Sequence, residues 1–334
     1  MKLSIRAHGN GAKEGSFYMA FQNDTFMGSD GETLITYSIL TPDTAVKGVV
    51  QIVHGMCEYM DRYTDLAQYL ADKGYVVCGE DHMGHGKSVG EGGIYGYFGR
   101  EYGSYYLVED VEKMHRIMKE RYPDKPYIMF GHSMGSFIAR NWFSQYGNDC
   151  SGLILSGTAV SNKLLRPLTT LAKAQRIFCG DKRPARMIAR MINNTYLKKI
   201  SNPSTPADWI SNDEEVVKKY MADPLCTFTF THSAYIDLFT LLKECNSDSW
   251  YGSIPHDKPI LLIAGDEDPV GDYGQGPQEI YDRLIDAGQE RVSIDIRHGM
   301  RHEPHNEIGR EAVYEKYAAY IYDNFVKEDS KKKE

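Results

Sequence analysis

A chain of 334 residues with 42% hydrophobic and 25% charged residues has ordinary globular composition, which excludes a disordered, collagen-like or coiled-coil protein. Its net charge of −8 argues against nucleic acid as a partner. Apolar runs such as Pro259 to Ala264 fall far short of the roughly 18 residues of a membrane span, and Met1 to Gly11 lacks the apolar stretch of a signal peptide, so the expected address is cytoplasmic.

Along the chain, β-rich runs alternate with segments of helical period, as in a mainly parallel sheet with crossover helices. Strands are expected at Phe17 to Ala20, Thr33 to Leu40, Gly48 to Val53 and Tyr75 to Gly79. Four more are expected at Pro126 to Phe130, Gly152 to Ser156, Pro259 to Ala264 and Val292 to Ile296. Among the helices, Asp65 to Lys73 is closed by Gly74. Ser104 to Tyr122 carries Leu107, Val111, Met114 and Met118 on one face, with Ser104 placed to cap its start. Arg310 to Phe325 is the terminal helix. Between Thr158 and Ser253 the alternation stops, which marks a helical insertion. The expected division is therefore a core of 1–157 and 254–326, an insertion of 158–253 and a charged tail of 327–334.

Within the insertion, Ser161 to Ile200 holds ten Lys or Arg against Asp181 alone. They interleave with Leu164, Leu165, Leu168, Leu171, Ile177 and Phe178 in an amphipathic pattern. Such a segment is either a solvated basic face packed by its leucines or a surface that meets anionic lipid.

The strand at Pro126 runs into Gly131-His132-Ser133-Met134-Gly135 and on into a helix, which is G-x-S-x-G in the setting it requires. A serine on that tight turn is held in a strained conformation with its hydroxyl exposed, and the Met134 amide at the helix start can face a developing oxyanion. The turn His54-Gly55-Met56-Cys57-Glu58 offers a second donor in the Met56 amide. A serine hydroxyl needs an imidazole to take its proton and a carboxylate to fix the tautomer. Asp266 and Asp268 follow the seventh strand; His298, His302 and His305 follow the eighth. Nothing points to a metal or organic cofactor: His302-Glu303-Pro304-His305 is one residue short of a zinc box, Gly86-Lys87-Ser88 lacks the earlier glycine of a phosphate loop, and the six cysteines form no C-x-x-C pair. His82 and His85 flank Gly84 and only imitate a metal pair, and Cys57 is expected to be a buried, inert thiol.

These pieces together resemble an α/β-hydrolase of the monoacylglycerol lipase and lysophospholipase group. The resemblance runs from about Gly28 to Phe325 through His54-Gly55 with Glu58 and Arg62-Tyr63, Asp81 with Gly84-His85-Gly86 and Ser88, the serine motif, Gly265 with Asp268-Pro269-Val270, and His302-Glu303 with Asn306-Glu307. Asp208-Trp209, Tyr220 and Asp223-Pro224-Leu225-Cys226 are similar to bacterial members. Cys57, Tyr59 and Met83 depart from the pattern, standing where Gly, His and Arg are common. The resemblance implies an eight-stranded, mostly parallel α/β-hydrolase sheet with a helical lid, and a triad of Ser133, Asp268 and His302. It also implies an oxyanion hole at Met56 and Met134 and substrate contacts from His54, Gly55, Cys57 and His132. The reaction it implies is ester hydrolysis of a monoacylglycerol or lysophospholipid through an acyl-enzyme. Alternatives are a small-ester esterase or thioesterase, and a non-catalytic ligand-binding scaffold. An imidazole base titrating near its unperturbed value of about 6.5 is expected to set the pH profile.

Overall fold

A computed structural model of the chain describes residues 20–327. Eight strands form one sheet: β1 (Gln22–Met27), β2 (Leu34–Leu40), β3 (Gly48–Val53), β4 (Tyr75–Glu80), β5 (Tyr127–His132), β6 (Gly152–Ser156), β7 (Ile260–Gly265) and β8 (Val292–Arg297). Their spatial order is β1-β2-β4-β3-β5-β6-β7-β8, with β2 antiparallel to both neighbours and all later pairs parallel. The seven later strands match the sequence expectation to within two residues. The expected strand at Phe17 to Ala20 lies outside the described residues except for Ala20, which is irregular. β1 was not anticipated because this edge strand is mostly solvent-exposed and shows no alternation.

Strands β3 to β7 are wholly buried, as the two-sided covering of a parallel sheet requires. One face is covered by α1 (Thr64–Asp72) and the terminal α10 (Arg310–Ile321, continued by a π-helical turn over Tyr322–Val326). The other is covered by α2 (Gly103–Arg121) and α3 (Met134–Tyr146). Leu107, Val111, Met114 and Met118 of α2 are fully buried, each contributing about 2 kcal/mol of transfer free energy. Gly74 ends α1 with φ 95°.

Five helices lie between β6 and β7: α4 (Leu165–Cys179), α5 (Arg186–Tyr196), α6 (Glu214–Ala222), α7 (His232–Glu244) and α8 (Asp248–Ser253). Helices α7 and α8 share the apolar core of α2 and α3 through Ala234, Tyr235, Phe239, Leu241 and Trp250. Helix α9 (Gln275–Asp286) follows β7 and packs on β7 and β8. Ser104 does not cap α2, because it lies inside the helix; its amide donates to Asp237 Oδ1 of α7 at 3.0 Å. Gly103 makes room for this, since a Cβ there would lie 2.3 Å from Asp237 Oδ2.

Burial pushes the Asp237 carboxyl up to about 7, against the Ser104 amide and Arg176, which pull it down. Between the ordinary value of 3.8 and about 7, the folded protein keeps a proton that the unfolded chain releases. The stability from this group is therefore complete at low pH and is lost as pH rises through about 7. Asp237→Asn, which keeps an acceptor without the charge, is expected to remove that loss. Asp237→Ala is expected to destabilise by about 1 kcal/mol at pH 5. Urea unfolding at pH 5 and pH 8 checks both.

Candidate active site

Parallel pairing sets the carboxyl ends of β3, β5, β6 and β7 side by side, with Val53 opposite Gly131 and His132 opposite Ser156. Ser133 follows β5 at φ 51° and ψ −122°, a conformation that costs a non-glycine residue about 1–3 kcal/mol. It is held there from both sides. Its amide donates to Ser156 O at 2.9 Å, while β3 passes so close to α3 that a Cβ on Gly135 would stand 1.9 Å from Val53 O. A Cβ on Gly131 would meet Gly135 O at 2.6 Å. Both glycines of the motif thus serve close approach. Helix α3 begins at Met134, so its first amides have no acceptor inside the helix and present partial positive charge beside the hydroxyl.

The His302 Nε2 accepts from Ser133 Oγ at 2.8 Å, and its Nδ1–H lies 3.0 Å from each oxygen of Asp268. Asp268 is fully buried and also accepts the Val270 amide at 2.8 Å. Burial works against the imidazolium, but the Asp268 charge and hydrogen bond outweigh it, and the His302 pKa is raised. The expectation of an unperturbed imidazole is corrected accordingly. The alternative residues are placed elsewhere. Asp266 pairs with the exposed His298 at 2.7 Å on the surface. His305 is buried, stacked on Tyr63 and edge-on to His132, and burial lowers it to about 3.

Beneath the turn after β3 lies a cluster to which the sequence reading gave no role. Arg62 donates to both oxygens of Glu303 and to Glu58 Oε2, each at 2.8 Å. Glu58 Oε1 accepts from Tyr63 Oη at 2.7 Å and from the Gly55 amide. Burial pushes the Glu303 carboxyl up, but Arg62 prevails and holds it at about 2. These bonds tie the His302 loop to the loop carrying Met56. The only sequence signal was the family pattern itself, since Glu58 and Glu303 are distant in the chain.

Of the four expected substrate contacts, His132 lines the cavity in front of Ser133, together with Met56 and Met134. Cys57 lines a second, neighbouring cavity. His54 and Gly55 line neither. The His54 ring is fully buried; Nε2 accepts the His82 amide at 2.9 Å and Nδ1 donates to Gly55 O at 2.9 Å. Gly55 is needed for close approach, because a Cβ there would lie 2.6 Å from Glu58 Oε1 and 3.0 Å from Ser133 Cβ. Cys57 has φ 56°, which is the physical reason glycine is common at that place. Its thiol donates to Phe228 O at 3.4 Å, and burial raises its pKa well above the ordinary value.

The cavity before Ser133 measures about 150 Å³. Its lining includes the apolar side chains of Phe137, Val160, Ile192, Leu238, Phe239 and Leu242. Trp209, whose ring lies 5.1 Å from that of His302, Tyr196 and Tyr220 also line it. Glu58 and Glu303 form part of the wall, and among the described residues no Lys or Arg does. The second cavity, about 360 Å³, shares Met56, Ile192, Tyr196 and Trp209 with the first. The basic segment of the insertion is turned outward: nine of its ten cations are exposed and Arg176 is half-buried. Leu165, Leu168 and Leu171 pack inward, whereas Leu164, Ile177 and Phe178 are 51, 78 and 87% exposed. Among the described residues no helix is long and apolar enough to cross a membrane.

Comparison with known proteins agrees with this geometry. A monoacylglycerol lipase of Mycolicibacterium smegmatis is 28% identical over 298 residues, covering 87% of this chain and 94% of that one. A phospholipase of Bacillus subtilis is 35% identical over 109 residues, covering 32% and 39%. The crystal structure of a thermostable carboxyl esterase from Bacillus coagulans in complex with glycerol superposes with a TM-score of 0.85 at 34% identity, covering 92% and 99%. Residues 44–309 match the family model described as serine aminopeptidase, S33. With that match spanning most of the α/β-hydrolase fold, the chain belongs to this family of serine hydrolases.

Proposed function

We propose that the chain is a carboxylester hydrolase that cleaves monoacylglycerol or lysophospholipid-type esters through an acyl-enzyme on Ser133, with Asp268 and His302 completing the triad. The observation that carries this reading is the unbroken relay from Asp268 through His302 to Ser133 Oγ, opening on an apolar cavity. As Ser133 Oγ attacks the acyl carbon, His302 Nε2 takes its proton, and Asp268 holds the tautomer and offsets the imidazolium charge. The carbonyl oxygen becomes negative and is received by the Met56 and Met134 amides. The tetrahedral adduct collapses, His302 returns the proton to the leaving alcohol, and a water repeats the sequence to free the acid. The acyl chain lies along the apolar wall from α3, α5 and α7. His132 touches the substrate, and Cys57 meets what extends into the second cavity.

The enzyme is proposed to be cytoplasmic and to visit membrane surfaces peripherally. In support, Ile177 and Phe178 project into solvent at the end of α4 among the exposed cations of α4 and α5, a combination suited to anionic lipid. The apolar wall favours acyl esters over the aminoacyl substrates in the family's descriptive name.

Fluorophosphonate is expected to label wild-type protein and to leave Ser133→Ala unlabelled; labelling of Ser133→Ala would sink the nucleophile assignment. A panel of glycerol and p-nitrophenyl esters, with an aminoacyl p-nitroanilide as control, should show turnover rising with acyl length beyond acetyl and none on the anilide. Preference for acetyl esters would instead favour a small-ester esterase. The kcat/KM should rise with pH through a midpoint above the ordinary histidine value of about 6.5, since only neutral His302 accepts the proton. Asp268→Asn is expected to lower kcat by about 10³–10⁴-fold and to shift the remaining midpoint downward. A near-wild-type rate in that variant would break the assignment.

A further inference from the structure

We propose that Trp209, although it belongs to the insertion, is a positioning residue for the base: its indole lies against the His302 ring and favours the charged imidazolium that forms as the serine proton is taken. This rests on the serine-hydrolase reading above and adds to it a dependence of the base on the insertion.

The segment carrying Trp209 is fastened to the loop carrying His302 on both sides of each residue. Arg301, just before His302, donates through Nη1 to Asp208 O at 2.5 Å and to Ser211 O at 3.1 Å. Glu303, just after it, donates its amide to Ile210 O at 2.8 Å. Ser211 Oγ adds a bond to Asn306 O at 3.1 Å. The indole itself is held from α5, where Asn193 Oδ1 accepts from Nε1 at 3.1 Å and the Tyr196 ring lies 4.8 Å away. Two stretches 93 positions apart in the chain are thereby joined into one piece, and the centroids of the Trp209 and His302 rings stand 5.1 Å apart with their planes inclined at 46°.

A cation within about 6 Å of an indole centroid is attracted by the ring quadrupole, more strongly where water is excluded. His302 is 2% exposed, so its charged form meets the indole in such a place, whereas the neutral ring has no charge for the quadrupole to attract. Several other groups face His302. Asp268, Glu303 and Glu58 favour the imidazolium against burial, His132 and His305 are kept neutral by burial, and Arg62 is committed to Glu58 and Glu303. A substitution at residue 209 removes none of these, so a change in the titration of His302 isolates the contribution of the indole.

The pH dependence of kcat/KM on p-nitrophenyl butyrate, which reports the free enzyme, is to be compared for full-length wild type, Trp209→Phe and Trp209→Leu. The acid midpoint should fall by about 0.5–1 unit in Trp209→Leu and by less in Trp209→Phe, whose weaker aromatic face keeps part of the attraction. A residue that merely covers the triad acts with the opposite sign, because its removal lets water solvate the imidazolium and raises the midpoint. A midpoint that is unmoved or raised in Trp209→Leu therefore overturns the proposal whatever the loss in kcat, as does a larger fall in Trp209→Phe than in Trp209→Leu. If Trp209→Leu does not fold, the direction of the shift in Trp209→Phe decides alone. Failure of this inference thus appears as turnover with the wrong shift, whereas absence of wild-type turnover on p-nitrophenyl butyrate and on glycerol esters would remove the parent reading and the role of Trp209 with it.

Discussion

The approach of β3 to the start of α3, with no side chain between them, is the constraint from which the rest of the site follows. Val53 O occupies the space that a methyl group on residue 135 would need. The turn can therefore close only as it does, with Ser133 in the left-handed region and its amide bound to Ser156 O. Strain of this kind persists only where the surroundings over-determine it. Here the buried strands on both sides supply that determination, and the serine hydroxyl comes to rest beside the amide-rich start of a helix.

A second constraint is electrostatic. Taking two carboxylates and a guanidinium out of water costs several kcal/mol per ion, and such a cluster is weak evidence for stability as such. Its value lies in position. Arg62 grips the residue next to His302 and, through Glu58, the backbone next to Met56. The proposed base and the proposed oxyanion donor are thereby referenced to one another across loops that share no secondary structure. The raised pKa of His302 and the lowered one of Glu303 belong to this same field.

What could be read from residue order was what local sterics and period determine. The two-residue spacing of glycines around Ser133, the buried runs of β3 to β7 and the apolar face of α2 all carry their cause within a dozen residues. Asp268 was separable from Asp266, and His302 from His298 and His305, only by the family pattern; composition alone left them open. Contacts made across the fold left no local signal in the chain. Glu58 and Glu303 meet through Arg62, and Asp237 reaches the start of α2, with nothing in their neighbourhoods to announce it. His54 was expected to touch substrate from the family resemblance, yet its ring faces His82, which only the sheet brings near. β1 escaped because an exposed edge strand has no apolar period to detect.

The bond from Asp237 to the start of α2 divides the insertion into two mechanical classes. Withdrawing α7 would strip a nineteen-residue core helix of its N-terminal partner and expose the aromatic side chains it shares with α3. Helices α4 to α6 bear no such anchor duty toward that helix start and bury far fewer side chains. Helix α4 packs along α7, so the anchor at Asp237 holds the first helix of the insertion in place together with the fourth.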